Sequence, residues 1–156
     1  MTSSTSSLLQ VVDNFSFISE EPLDLCAILS GAHHPAAGAV VLFGGEVRNH
    51  SHDKLVSYLT YEAFAPMANK IIAKIIEDAK EKWKLNIAIC KHRVGKVNIC
   101  ETAVIVITAS AHRVAAYEAN QYIIDRVKHE APIWKKEFFS DGSYEWGHNC
   151  GCFNHG

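Results

Sequence analysis

The fold is most constrained by one β-branched, apolar segment, residues 102–109, in which Val104, Ile105, Val106 and Ile107 follow one another directly. A strand with one face in water alternates apolar and polar side chains, whereas a buried strand reads as a nearly continuous apolar run. We therefore expect residues 102–109 to form the centre of a sheet.

Further strands and three helices can be placed around this segment. The other predicted strands cover residues 39–47, 55–63 and 86–94, and a last strand follows the second long helix. The predicted helices are a short one with Pro22 in its first turn and Gly31 at its end, a long one that Pro66 opens, and one at residues 113–130. Paired strands separated by single helices predict an α+β fold, with a mainly antiparallel sheet and helices on one face.

The 156 residues predict a single domain with enough length to bury a core. Residues 1–20 are polar and rich in Ser and Thr, which predicts a flexible arm ending at most in one short element. The folded domain then covers residues 21–147. Residues 148–156 form a C-terminal tail.

Composition excludes several functional classes. The 15 Lys and Arg residues nearly balance 17 Asp and Glu, which gives no global reason to expect nucleic acid or an anionic membrane as a partner. No apolar run approaches the roughly 20 residues of a membrane span, and the start of the chain lacks the features of a targeting segment. Five irregularly placed cysteines do not describe a disulfide framework, so we expect a cytosolic protein.

The tail raises the question of a zinc site. Cys150, Cys152, His148 and His155 are residue types that bind zinc, but the C-x-C spacing differs from the usual finger spacing. We predict neither a metal site nor a cofactor. A zinc-dependent protein that uses this tail stays open as an alternative.

Two lysines on either side of a proline are the main candidates for a functional site. Pro132 removes a backbone donor and disfavours a helical Ala131, so the helix should end near Glu130. Lys128 then lies in the last helical turn, and Lys135 follows the bend. The alternative is that both are ordinary surface lysines, but a tertiary fold that brought the two ammonium groups together would suit an anionic substrate.

Other cationic residues occur where strands end. Ser110, Ala111, His112 and Arg113 come where the central strand gives way to a helix, and free backbone N–H groups at a helix start can bind an anion. Arg48 follows the first long strand, and its guanidinium can bind a carboxylate or phosphate through two hydrogen bonds. Helix capping or a salt bridge would explain His112 and Arg113 about as well. Taken on its own, Arg48 is better explained as a loop arginine in water.

Five motifs in this order resemble the large, catalytic subunit of molybdopterin synthase. They are Gly-Glu-Val-Arg-Asn at 45–49, Leu-Thr-Tyr-Glu-Ala-Phe-Ala-Pro-Met-Ala at 59–68, His-Arg-Val-Gly at 92–95, Ser-Ala-His-Arg at 110–113 and Ala-Pro-Ile-Trp-Lys-Lys-Glu at 131–137. The resemblance covers about residues 38–146. It implies an α/β hammerhead-type fold with an added antiparallel sheet.

The resemblance also implies a reaction and its partners. Members of the family transfer sulfur to cyclic pyranopterin monophosphate and so form the dithiolene of molybdopterin. The sulfur arrives as a thiocarboxylate on the C-terminal Gly-Gly of a ubiquitin-like small subunit. Two catalytic subunits form a homodimer within a heterotetramer. A module that binds the small subunit's tail without chemistry is the competing hypothesis.

Site residues follow from the same resemblance. Lys128 and Lys135 correspond to the catalytic lysines of the family, and the matching substrate or anion contacts are Arg48, His112, Arg113, Lys136 and Glu137. Glu46 departs from the family pattern because it adds a carboxylate next to this region. Strand alternation would place Glu46 on the same face as Arg48, so we expect either repulsion of the substrate or a pair between the two side chains.

Overall fold

The computed structural model describes residues 16–148. Its elements, in chain order, are β1 (Ile18–Ser19), α1 (Leu25–Ser30), β2 (Ala39–Glu46), β3 (His50–Ser51), β4 (Lys54–Ala63), α2 (Ala65–Trp83), β5 (Ile87–Arg93), β6 (Gly95–Asn98), β7 (Thr102–Ser110), α3 (Arg113–Glu130), β8 (Ile133–Phe139) and β9 (Tyr144–His148). The predicted α+β class is confirmed. None of the helices within the described residues combines the length and apolarity that a bilayer-spanning segment requires.

The first sheet has the strand order β1-β5-β7-β2. β7 pairs antiparallel with β5 on one side and with β2 on the other, and all nine of its residues are buried. The apolar run therefore forms an inner strand, as the sequence predicts. β1 is the exception to the antiparallel pattern, because it pairs parallel with β5.

The two faces of β7 are covered by different helices. Val104 and Val106 belong to the larger core, which also contains apolar residues of α2 and α3. Ile105 and Ile107 belong to a smaller core with Leu25 of α1. The prediction that the helices cover one face thus holds for the two long helices, whereas α1 covers the opposite face. A strand that is apolar on both faces must be shielded from water on both.

The start of α1 differs from the sequence prediction. The helix begins at Leu25, and Pro22 lies before it instead of in its first turn. Asp24 is the N-cap, and its carboxylate accepts a hydrogen bond of 3.1 Å from the backbone N–H of Ala27. The cap therefore outweighs the proline as the start signal. Gly31 ends the helix as predicted.

The second sheet is antiparallel and has the order β3-β4-β8-β9, with β6 also paired to β4. Of its strands, the sequence predicted β4 and the strand after α3. No strand is predicted at β3, β6 or β9, which are short or contain polar residues. This sheet provides most of the walls of the candidate site.

The beginning of the described chain is attached to α2 through Asn69 and to the first sheet through Lys91. The backbone N–H of Phe17 donates to Asn69 Oδ1 at 2.8 Å, and Lys91 Nζ donates to the Ser16 carbonyl at 2.5 Å. Residues 16–20, which were included in the predicted flexible arm, therefore contact the sheet and contain β1. The rest of that arm, residues 1–15, and tail residues 149–156 lie outside the described residues.

A close approach of two strands shapes the end of β2. A Cβ added to Gly45 would lie 2.7 Å from Val104 Cγ1, so only glycine fits opposite this buried valine. The pairing of β2 with β7 shifts register between Gly45 and Glu46. This bulge turns the chain away from the sheet, and the next residues, Val47 and Arg48, reach the candidate site.

Candidate active site

The bend between α3 and β8 brings the two predicted catalytic lysines together. α3 ends at Glu130, and Ala131 has the extended conformation, with φ −71° and ψ 135°. This confirms the effect expected of Pro132. β8 then runs antiparallel to β4, so that Lys135 returns toward Lys128 in the last helical turn.

A cavity of about 430 Å³ opens at this bend. Its charged and polar lining residues are Glu46, Arg48, His50, Ser51, Tyr61, Lys128, Lys135 and Glu137, and its apolar ones are Val47, Val56 and Leu59. Four of the seven residues predicted for the site thus line one cavity. They are Arg48, Lys128, Lys135 and Glu137.

Lys135 is held by a neighbouring carboxylate. Its Nζ lies 3.3 Å from Glu137 Oε1, and the side chain of Glu137 is only 11% exposed while that of Lys135 is 29% exposed. The two residues are two apart on β8 and so point to the same face. The facing residue on β9 is Gly147, and a Cβ added there would lie 3.7 Å from Lys135 Cε. An added Cβ would thus be in ordinary van der Waals contact with the lysine stem.

Tyr61 forms part of the cavity wall opposite this ion pair. It faces Lys135 in the register between β4 and β8. Burial, together with the negative charge of Glu137, raises the pKa of Tyr61 to about 12. The phenol is therefore protonated at neutral pH and can donate a hydrogen bond into the cavity.

Arg48 and Glu46 reach the same cavity from the end of β2. Both side chains are exposed, and within residues 16–148 no ion pair joins them. The pair that strand alternation suggested is therefore not formed, because the bulge after Gly45 interrupts the alternation. Arg48 keeps its full charge for a ligand, while Glu46 adds a negative group at the rim.

Lys128 borders a second opening as well. A groove of about 560 Å³ lies between β2 and α3 and is lined by apolar and polar residues. The apolar ones are Val41, Leu42, Phe43 and Ile124, with Tyr117 at the exposed side. Lys128 is thus accessible from two directions.

Lys136 does not line the cavity. It lies on the outer face of the second sheet, where its Nζ is 3.9 Å from the ring centroid of Tyr144, 5.0 Å from that of Phe138 and 5.2 Å from that of Trp146. Adjacent residues of a strand point to opposite faces, so Lys135 and Lys136 cannot share one site in a single chain.

His112 and Arg113 lie at the opposite end of α3. His112 is the N-cap residue, and sixteen residues separate it from Lys128, which at 1.5 Å per residue corresponds to about 24 Å along the helix. Both side chains are exposed. The structure confirms their position between the central strand and a helix but does not bring them into the cavity of the same chain.

Some lining residues were missed by the sequence interpretation. His50 and Ser51 are not among the predicted site residues, but they form β3 and line the cavity. Tyr61 was noted only as part of a motif. Its position opposite Lys135 depends on the register of two strands that are far apart in sequence, so no local pattern could have identified it.

The described residues contain no group of three or more His, Cys, Asp or Glu side chains arranged to hold a metal ion. The cysteine and histidine tail behind the zinc alternative lies beyond residue 148, outside the described part of the chain.

Comparison with known proteins identifies the family. The family model described as MoaE protein matches residues 18–130, well over half of the chain. The chain belongs to this family. The matched range contains Arg48, His112, Arg113 and Lys128 and ends before Lys135.

Individual relatives extend the match. The molybdopterin synthase catalytic subunit of Staphylococcus epidermidis is 44% identical over 117 residues, which cover 75% of this chain and 78% of the relative. That of Thermoplasma volcanium is 39% identical and covers 87% of this chain and 99% of the relative. The crystal structure of molybdopterin synthase from Staphylococcus aureus superposes with a TM-score of 0.79 at 39% identity, over 85% of this chain and 96% of that one.

Proposed function

We propose that this chain is the catalytic subunit of a molybdopterin synthase, a sulfurtransferase that converts cyclic pyranopterin monophosphate to molybdopterin. The names of its relatives support the activity. The observation that carries the proposal is the convergence of Lys128, Lys135 and Arg48 on one cavity.

The charges of the cavity fit two anionic reactants. A pterin phosphate and a thiocarboxylate repel each other, and bringing them into contact requires positive groups in a partly water-excluded space. The three cations face two carboxylates, of which Glu137 is paired with Lys135 and Glu46 lies at the rim. Because Lys128 borders both the cavity and the groove beside it, the two reactants can approach the lysine from different sides.

We assign the chemical step to the two lysines. The thiocarboxylate sulfur forms a C–S bond with a pterin side-chain carbon as a C–O bond of that carbon breaks, and the oxygen that leaves takes up a proton. Water then cleaves the thioester between that sulfur and the partner's acyl carbon, which leaves sulfur on the pterin and a carboxylate on the partner. Lys128 and Lys135 stabilise the negative charge that develops during these steps. Glu137 orients Lys135, and the protonated Tyr61 supplies a neutral hydrogen-bond donor.

Three of the predicted anion contacts lie outside the cavity of their own chain, and we propose that they act elsewhere. They are His112, Arg113 and Lys136. Because His112 and Arg113 lie about 24 Å along the helix from Lys128, they would reach a substrate only in the cavity of a second copy of the chain. This fits the predicted homodimer. Lys136 faces outward over aromatic rings, so we propose that any anion it meets belongs to the surface of a partner.

The proposed partner is the ubiquitin-like small subunit, which carries the thiocarboxylate. We retain a heterotetramer of two catalytic and two small subunits, a domain that ends at residue 147, a tail after it and a cytosolic location. The domain starts before residue 21, because β1 pairs with β5. Cys26, Cys90 and Cys100 are free thiols, which supports a reducing compartment.

The test is a reconstitution of the reaction. The protein is mixed with a thiocarboxylated small subunit and the pterin precursor, and molybdopterin is followed by the fluorescence of its oxidised derivative. We expect product with the wild-type chain and at most about 1% of the rate with Lys128→Ala, because removing one preorganised charged group costs about a hundredfold or more.

Lys80→Ala is the matched control. Lys80 is an exposed lysine in the last turn of α2, the counterpart of Lys128 in α3, but it does not line the cavity. Wild-type turnover in Lys80→Ala is expected. A stable complex without product, obtained with a partner and precursor that another synthase uses, would favour the non-catalytic binding module instead.

A further inference from the structure

A buried histidine lies beside the cavity and has no role in the mechanism above. His92 belongs to β5 and is 1% exposed. Its side chain is on the same strand face as that of Cys90, which is part of the larger core. Burying an imidazole in such a core is unfavourable unless its polar atoms are satisfied, so its position requires an explanation.

One ring nitrogen of His92 has a fixed role. Nδ1 lies 2.8 Å from the carbonyl oxygen of Arg93. A carbonyl oxygen only accepts hydrogen bonds, so Nδ1 carries the proton. In the neutral ring, Nε2 is then the nitrogen with the lone pair, which makes it an acceptor.

The ring is neutral under physiological conditions. Burial, together with the smaller effect of the positive charge of Lys128, lowers the pKa of His92 to about 4, while the hydrogen bond to the Arg93 carbonyl opposes this shift.

His92 lies between two residues that line the cavity. Its ring meets that of Tyr61 edge to face, with centroids 5.0 Å apart and an interplanar angle of 69°. Two titratable side chains from other elements act on His92, Tyr61 on β4 by ring contact and Lys128 on α3 by its charge, and both line the cavity. The imidazole thus lies behind the cavity wall.

We propose that His92 is a positioning residue for Lys128, an uncharged acceptor that holds the ammonium group toward the cavity from behind. A cation at this position would repel Lys128, and an apolar side chain would provide no acceptor for it. A neutral imidazole provides the acceptor without adding to the positive charge of the site. The proposal rests on the proposed function in that it assigns Lys128 to the reacting centre.

The alternative is a histidine that only fills the core, and suitable variants separate the two roles. His92→Leu keeps much of the volume but removes the acceptor. His92→Gln keeps a neutral acceptor at a similar distance from the backbone. Cys90→Ala is the matched control, because Cys90 is equally buried on the same face of β5, two residues from His92.

Turnover distinguishes these variants. If His92 positions Lys128, kcat falls about tenfold or more in His92→Leu, because small displacements of a catalytic group have effects of this size. The KM for the pterin stays within about twofold, and His92→Gln regains most of kcat. Cys90→Ala lowers the melting temperature and leaves kcat unchanged. Equal kcat values in His92→Leu and Cys90→Ala, or no recovery in His92→Gln, would overturn the proposal.

A second readout does not depend on turnover. The lysines are reductively methylated with ¹³C-formaldehyde, and the Lys128 signal is assigned by its absence in Lys128→Ala. Loss of an acceptor disfavours the charged form, so this signal should titrate at lower pH in His92→Leu than in the wild type, and His92→Gln should lie close to the wild type. Superimposable titration curves would refute the positioning role. If the wild type makes no product, the proposed function fails while this measurement still decides the role of His92.

Discussion

Lys135 and Lys136 are adjacent in sequence and occupy opposite environments. Lys135 points into the cavity, where its Nζ lies 3.3 Å from Glu137 Oε1 and Tyr61 is its direct neighbour on the adjacent strand β4. Lys136 points outward over the rings of Tyr144, Phe138 and Trp146. The chemical identity of the residue is the same in both cases, so its function depends on which face of β8 it occupies.

The two faces of the sheet also differ in how far their charged groups are exposed to water. On the inner side, charged groups are partly removed from water, and their mutual effects are strong. On the outer side, the ammonium of Lys136 stays near water, and its contacts with exposed rings are worth about 0.5–1 kcal/mol. The comparison therefore predicts large effects for inner substitutions and small ones for outer substitutions.

The largest difference is expected between the two lysines themselves. Lys135→Ala should lower kcat of the reconstituted synthase by about a hundredfold or more, since it removes a preorganised charge at the reacting centre. Lys136→Ala should lower it by no more than a few-fold. Single-turnover assays at saturating small subunit measure both. Comparable losses in the two variants would mean that the outer face takes part in the chemistry.

The next largest effect concerns the stability of the folded chain in acid. It depends on the buried His92, on the cavity side of the structure. The pKa of His92 is about 4 in the folded chain and ordinarily 6.5, so the unfolded chain binds more protons between these values. Stability should therefore decrease as the pH falls from about 6.5 to 4. Between pH 7.5 and 4.5 the wild type should lose about 2 kcal/mol more than His92→Gln.

Urea unfolding at the two pH values measures this difference. His33→Gln, a substitution at an exposed histidine outside the cavity, is the control. If His92→Gln and the wild type lose stability equally in acid, His92 is not held neutral by the fold.

The smallest of the three effects is expected for the ion pair of Lys135. Glu137→Gln removes the charge that orients this lysine but keeps a side chain of similar shape, so kcat should fall about tenfold, equivalent to about 1.4 kcal/mol. Glu145→Gln on the edge strand β9 is the control. Glu145 is the direct neighbour of Glu137 in the register between β8 and β9, but it is exposed. Unchanged kcat in Glu137→Gln would show that Lys135 is positioned without its carboxylate.

Local sequence signals determined most of the elements. The apolar run of β7 identified the inner strand, the period of α2 and α3 identified the long helices, and Pro132 fixed the end of α3. These features depend on side-chain volume, backbone conformation and hydrophobic periodicity within a few residues. The predicted start of α1 was wrong by a few residues, because two local signals compete there. Pro22 suggests a first helical turn, but the side chain of Asp24 caps the helix.

The composition of the site was decided by long-range geometry. The sequence named Lys128, Lys135, Arg48 and Glu137 through a resemblance, but only the antiparallel return of β8 after the bend puts them around one cavity. The same geometry separates His112, Arg113 and Lys136 from it and adds Tyr61 and His92. Residue chemistry is thus fixed by the sequence. Strand register and the face on which a side chain lies depend on pairing between distant segments, so they were settled only when the tertiary structure formed.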